Sequence, residues 1–139
     1  MNRALLLGFL SIVAGMSGLA MAQDNSSPSS IVRKDLLTAT IAGSKDVARV
    51  EIKQIDFAPA QRAGLHRHPC PVVGYVAHGT IRFQVEGQPV QLLGEGSAFL
   101  EPAGAKVVHF DNASTEEPAT FVAFYLLGPD DRQLIEALE

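Results

Sequence analysis

A chain of 139 residues has room for one domain and hardly two, and an apolar share of 47% against 19% charged residues describes a folded chain, not a disordered one. The net charge of −4 contains no block of like charges, which excludes a nucleic-acid or polybasic membrane surface and leaves small ligands open. The only cysteine is Cys70, so no intramolecular disulfide staples the fold and stability has to come from the apolar core.

The N-terminus reads as a targeting segment. Arg3 supplies a positive start, Ala4 to Ala20 is apolar and rich in Leu, Ala and Gly, and Ala20-Met21-Ala22 is a small-x-small cleavage site before the polar Gln23-Asp24-Asn25. This is the pattern of a cleaved secretory signal peptide over residues 1–22, which predicts a secreted or periplasmic product with no membrane attachment after cleavage. Residues 23–35 form a polar leader, and residues 36–128 are expected to form the folded domain.

Leu36 to Ile41 (LLTATI) is rich in β-formers and predicts a first strand. Ala48, Val50 and Ile52 then alternate with charged residues, but Ile55 and Phe57 take over the apolar positions one step out of phase. A phase change of one residue predicts a β-bulge. Pro59 ends that segment, and Ala60 to Gly64 leads into His66-Arg67-His68-Pro69.

On an extended chain His66 and His68 share a face, with Cα atoms about 6.6 Å apart at about 3.3 Å per residue. Two imidazoles so placed can converge on one cation; the plain alternative is a solvated loop. Arg67 alternates away from the pair and predicts a surface salt bridge. Pro69 and Pro71 around Cys70 mark a turn.

Val72 to Ala77 is a continuous apolar strand, and Ile81, Phe83 and Val85 alternate with polar residues as a half-buried one. His78, beside Gly79, is about 20 Å along the strand from the turn and reads as a surface residue. Short strands follow at Val90 to Leu93, Ser97 to Leu100 and Lys106 to Phe110, separated by Gly and Pro turns. After the polar loop Asp111 to Pro118 comes the aromatic-rich strand Thr120 to Leu127. Tyr75, Phe83, Phe99 and Phe121 are expected in the core, and Phe110 outside the sheet or at a dimer interface. In the tail, residues 129–139, Asp130 or Asp131 can N-cap a short C-terminal helix with Leu134, Ile135 and Leu138 on one face. Eight or nine short strands at 8- to 12-residue spacing predict an all-β sandwich or barrel.

Read together, the segments from Ile55 to Leu127 resemble the cupin superfamily of jelly-roll β-barrels. In the first cupin motif, His66, His68 and Gly79 match in order and spacing, while the Glu position falls at Val72. In the second, Gly96, Pro102 and Gly104 match, the His position falls at Val107, and His109 follows two residues later with Asn112 three beyond it. The resemblance implies a jelly-roll barrel that often dimerises, with a metal site of three His and one Glu. A regular strand puts His109 on the same face as Val107, about 6.6 Å along it. The expected ligands are therefore His66, His68 and His109 without a carboxylate. Such an imidazole set suits Zn, Fe, Cu or Ni, and it leaves the cation's full charge for an anionic small molecule. Two functions follow from that site: a binding module for a metal and a small ligand, or a metal-dependent dioxygenase, isomerase or decarboxylase.

Overall fold

The computed structural model of the protein describes residues 31–43 and 46–139. The expected signal peptide and most of the polar leader lie outside the described residues. Lys34–Glu139 form one compact unit.

Among the described residues, nine strands build two antiparallel sheets: β1 (Arg49–Phe57), β2 (His66–Arg67), β3 (Val72–His78), β4 (Thr80–Val85), β5 (Gln91–Gly94), β6 (Ala98–Glu101), β7 (Val107–Asn112), β8 (Ala119–Leu127) and β9 (Glu136–Ala137). One sheet has the order β1-β8-β3-β6 and the other β5-β4-β7-β2-β9. Consecutive strands repeatedly change sheets, as a jelly roll requires. The inward residues of both sheets meet in one aromatic core, where Phe110 and Phe121 lie 4.7 Å apart between ring centroids and Phe99 and Phe110 5.0 Å. Gly74 is part of this packing. A Cβ there would lie 2.1 Å from the ring of Phe99, its cross-strand partner, so only a glycine lets that ring lie flat on β3.

Four expectations need correction. Leu36–Ile41 is irregular: its β-formers find no partner strand, and propensity without a ladder makes no sheet. The phase change in β1 is not a bulge, since β1 pairs with β8 in unbroken register from Arg49↔Leu127 to Phe57↔Ala119. Ile55 and Phe57 face the core, whereas Val50 and Ile52 are exposed apolar residues on the outer face. Tyr75 is likewise on the outside, at 38% exposure.

The tail forms no helix. Glu136–Ala137 add instead as β9 to the edge of β2, pairing Ala137 with His66 and Glu136 with Arg67. Leu138 N–H donates to the Leu65 carbonyl at 2.9 Å. A lone amphipathic turn of this length is marginal in water. Pairing with an open strand edge satisfies the same backbone groups and places Ile135 over the cavity between the sheets.

Candidate metal centre

His66 lies on β2 and His68 just beyond it, with ring centroids 5.1 Å apart. As expected, the two converge. The third group is Glu101, on the last residue of β6 in the facing sheet. Their ligand atoms all lie within 4.8 Å of one another, and all three residues are buried.

Cross-strand register explains why a carboxylate arrives from this position. Val72 occupies the expected Glu position on β3, and its partner on β6 is Glu101. Residues directly opposite in an antiparallel pair point to the same face. The carboxylate thus enters the site at the expected level, but from the neighbouring strand.

His109 does not join the group. The register of β4 on β7 shifts from Gln84↔His109 to Val85↔Val107, so Val108 is the extra residue of a bulge. A bulge reverses the alternation that follows it. Val107, the cross-strand partner of His66, faces inward, and so does Phe110, which is a core residue and not an outer one. His109 is turned outward, its Nδ1 2.9 Å from Asp111 Oδ2 and 3.2 Å from Arg82. Asp111 also takes a hydrogen bond from Arg82 at 2.9 Å. Asn112 secures the following loop, donating to the carbonyls of Ala58 and Glu117.

Backbone carbonyls orient both ring ligands. His66 Nδ1 donates to the Gly64 carbonyl at 2.8 Å, which leaves Nε2 as its free lone pair. His68 Nδ1 donates to the carbonyl of Leu134, a residue of the tail, and His68 Nε2 lies 2.6 Å from Glu101 Oε2. Two acceptors on one imidazole favour its doubly protonated form. Burial opposes that charge. The hydrogen bond and negative charge of Glu101, with the Leu134 carbonyl, outweigh burial and hold the His68 pKa above its ordinary value of 6.5.

The sign of the pH effect follows. A pKa raised by folding contributes stability that is fully present below the unfolded value and is lost as pH rises through the folded one. Thermal melts of chelator-treated protein are expected to show this loss from about pH 6.5 upward. His68→Gln should lack that component, and parallel curves for the two proteins would refute the assignment.

Two imidazoles and one carboxylate grouped in this way form a candidate metal-binding set. Metal–nitrogen and metal–oxygen bonds of about 2.0–2.2 Å set neighbouring ligand atoms about 3–4 Å apart. A cation bound there would be held by His66, His68 and Glu101 in place of the direct contact between His68 and Glu101.

The site opens on a cavity of about 310 Å³ between the sheets. Ile55, Phe57, Phe110, Phe121 and Ile135 give it apolar walls, and Gln61 and Tyr125 are among its polar lining residues. Tyr125 opposes Val72 from β8, and its ring lies 5.5 Å from that of His68. Burial, with the nearby Glu101, Cys70 and Glu51, pushes its pKa up to about 12, so the hydroxyl keeps its proton. Arg67 makes the expected salt bridge, to Glu136 at 2.7 Å. His78 is exposed opposite Glu95, and Cys70 is fully buried.

Sequence reading missed Glu101, Tyr125 and the tail. For Glu101 a local signal existed: it lies two residues after Phe99, on the same inward face of a short strand.

No curated protein matches the chain. Among solved structures, a cupin-like protein of Thermotoga maritima is 26% identical over 64% of this chain and 64% of its own, with a TM-score of 0.52. A DMSP lyase of Ruegeria pomeroyi is 16% identical over 63% of this chain and 42% of its own (TM-score 0.54). An oxalate decarboxylase of Bacillus subtilis is 19% identical over 64% and 24% (TM-score 0.55). The chain thus covers less than two thirds of each of these proteins, and the two enzymes share the fold with it. Residues 54–125, more than half of the chain, match the family model described as Cupin domain, and with the two-sheet jelly roll around its histidine pair the chain belongs to the cupin family.

Proposed function

We propose that the protein holds a divalent transition metal on His66, His68 and Glu101 and binds a small organic molecule in the adjoining cavity. The observation that carries this reading is the convergence of two imidazoles and one carboxylate, from two different sheets, within 4.8 Å at a buried cavity wall. Among Zn, Fe, Cu and Ni, a set of two His and one carboxylate with open positions suits Fe(II) and Zn(II) best. Elemental analysis of purified protein tests this. Near-stoichiometric metal is expected in the native chain and its loss in His66→Ala and His68→Ala; metal retained by both variants would refute the site.

A second reading, a metal-dependent enzyme acting on a small oxygenated substrate, is favoured by one further observation. Tyr125 brings a protonated hydroxyl into the same cavity as the three ligands. A bound metal would supply Lewis-acid polarisation of a substrate oxygen or an activated water. Tyr125 would donate a hydrogen bond to the substrate, and the apolar walls would exclude bulk water. The folds shared with a DMSP lyase and an oxalate decarboxylase are consistent with such chemistry.

Export and self-association belong to the same proposal. Export is supported by Arg3, the apolar Ala4 to Ala20 and the Ala20-Met21-Ala22 site, and mass spectrometry of the native product tests cleavage after Ala22. A homodimer is supported by Val50, Ile52 and Tyr75, exposed on the outer face of the four-stranded sheet, and light scattering tests it.

A further inference from the structure

We propose that a groove on the outer face of the five-stranded sheet binds a small phosphate monoester, with Arg62 and Arg82 as its paired anchors. It is separate from the cavity between the sheets and does not depend on the metal reading.

Cross-strand register builds the site. Arg82 on β4 pairs with Leu92 of β5 on one side and with Asp111 of β7 on the other. Beyond Asp111 lies Arg62, joined to it by an isolated bridge. Directly opposed residues share a face, so Leu92, Arg82, Asp111 and Arg62 form one row across the sheet. The row faces outward, because Ile81, Phe83, Leu93 and Phe110, beside it in the chain, are buried in the core. It lines a groove of about 320 Å³.

Asp111 does not satisfy both cations. Its Oδ2 accepts from Arg82 and faces His109 Nδ1, each at 2.9 Å. Its Oδ1 meets Arg62 Nε only at 3.6 Å, longer than the roughly 2.7–2.9 Å of a charge-assisted hydrogen bond. The Arg62 side chain is 64% exposed and makes no hydrogen bond among the described residues. Arg82 Nε is buried without a partner. Both guanidiniums thus carry donors that the fold leaves unused. Asp111 is the one acid in the groove lining, so two guanidiniums against one carboxylate leave positive charge in excess.

The groove is braced. Asn112 N–H donates to the Gln61 carbonyl at 2.8 Å and Ala60 N–H to the Ser114 carbonyl at 2.7 Å, which ties the Arg62 segment to the loop after β7. Ala60, on the groove wall, holds a φ of 58°, a left-handed conformation uncommon for a residue with a Cβ. Such strain persists only where the surrounding structure over-determines it, so the groove is shaped in advance.

The spacing of the anchors selects the anion. Adjacent strands lie about 4.8 Å apart, so the backbones carrying Arg62 and Arg82, on either side of Asp111, are about 10 Å apart. Side chains rooted that far apart reach a shared ligand from different directions. A carboxylate holds its two oxygens in one plane and matches one guanidinium fork. A phosphate presents oxygens in several directions and matches two. Leu92, 69% exposed at the end of the row, offers an apolar contact to the organic group of the ester.

The test is calorimetric titration of the full chain with inorganic phosphate, phenyl phosphate and benzoate, before and after chelator treatment. Both phosphates are expected to bind, phenyl phosphate the more tightly, and benzoate about tenfold more weakly than phenyl phosphate. Chelation should change none of this. Arg62→Gln should weaken both phosphates about tenfold or more, and Arg62→Lys should recover part of the loss. Leu92→Ala should weaken phenyl phosphate alone. Lys53→Gln, which removes a positive charge from the other sheet, should leave binding unchanged. Because the Arg62 side chain makes no hydrogen bond within the fold, its variants should melt with the native chain. The proposal would be overturned by no binding of either phosphate, by equal affinity for benzoate and phenyl phosphate, or by Arg62→Gln binding no more weakly than Lys53→Gln. Binding that disappears with chelation would place the probe on the metal centre and overturn it equally.

Discussion

Glu101→Ala is expected to empty the metal site, while His109→Ala leaves it loaded. Loss of a mere supporting partner of a ligand costs roughly 10- to 100-fold in affinity, so loss of a direct ligand should reach about 100-fold or more. Competition against a chelator of known affinity measures this directly. The contrast with His109 is diagnostic, because a regular β7 would have made His109 the third ligand. Its actual partners are Asp111 and Arg82, on the opposite side of the strand. Glu101→Ala also removes the acceptor facing His68 Nε2, and a buried polar group left without a partner costs about 1–3 kcal/mol. Its melting temperature should therefore fall even without metal. Were His109→Ala to lose the ion and Glu101→Ala to keep it, the centre would lie on the outer face.

Ending the chain at Asp131 should weaken metal binding about 10- to 100-fold while the barrel remains folded. Asp131 itself stays, with its hydrogen bonds from Gly128 N–H and Arg49. What disappears is β9, the Leu134 carbonyl on His68 Nδ1, and Ile135 over the cavity. Without that carbonyl the ring of His68 is free to rotate and to change tautomer. Glu136→Ala is the matched comparison. It removes only the salt bridge to Arg67, half-exposed and worth about 0–1 kcal/mol, and should leave affinity almost unchanged. Undiminished affinity in the shortened chain would show that the tail does not position His68.

Much of this architecture is written locally. The alternation of Ile81, Phe83 and Val85, the apolar run from Val72 and the Gly and Pro turns each announce a strand or its end. The spacing of His66 and His68 brings two imidazoles together with no tertiary information. What escaped reading is non-local. Val108 is an unremarkable residue, and only the pairing of β7 with β4 reveals that it is the extra one that turns His109 away. Glu101 reaches the two histidines through its pairing with Val72, 29 positions earlier. The tail has a helical pattern, but an open edge at β2 offers its backbone better partners than a single turn can. Leu36–Ile41 shows the converse, with strand-forming residues and no strand to join.

The cross-strand pairing of Val72 with Glu101 has a broader consequence. In a paired ladder every strand crosses the same rungs, so a donor atom can be supplied at a given height by any chain segment that passes there. A carboxylate can therefore reach a site from the neighbouring strand, where no spacing along the chain records it. Searches for related centres would do better to compare the occupants of each rung than the order of residues along the chain.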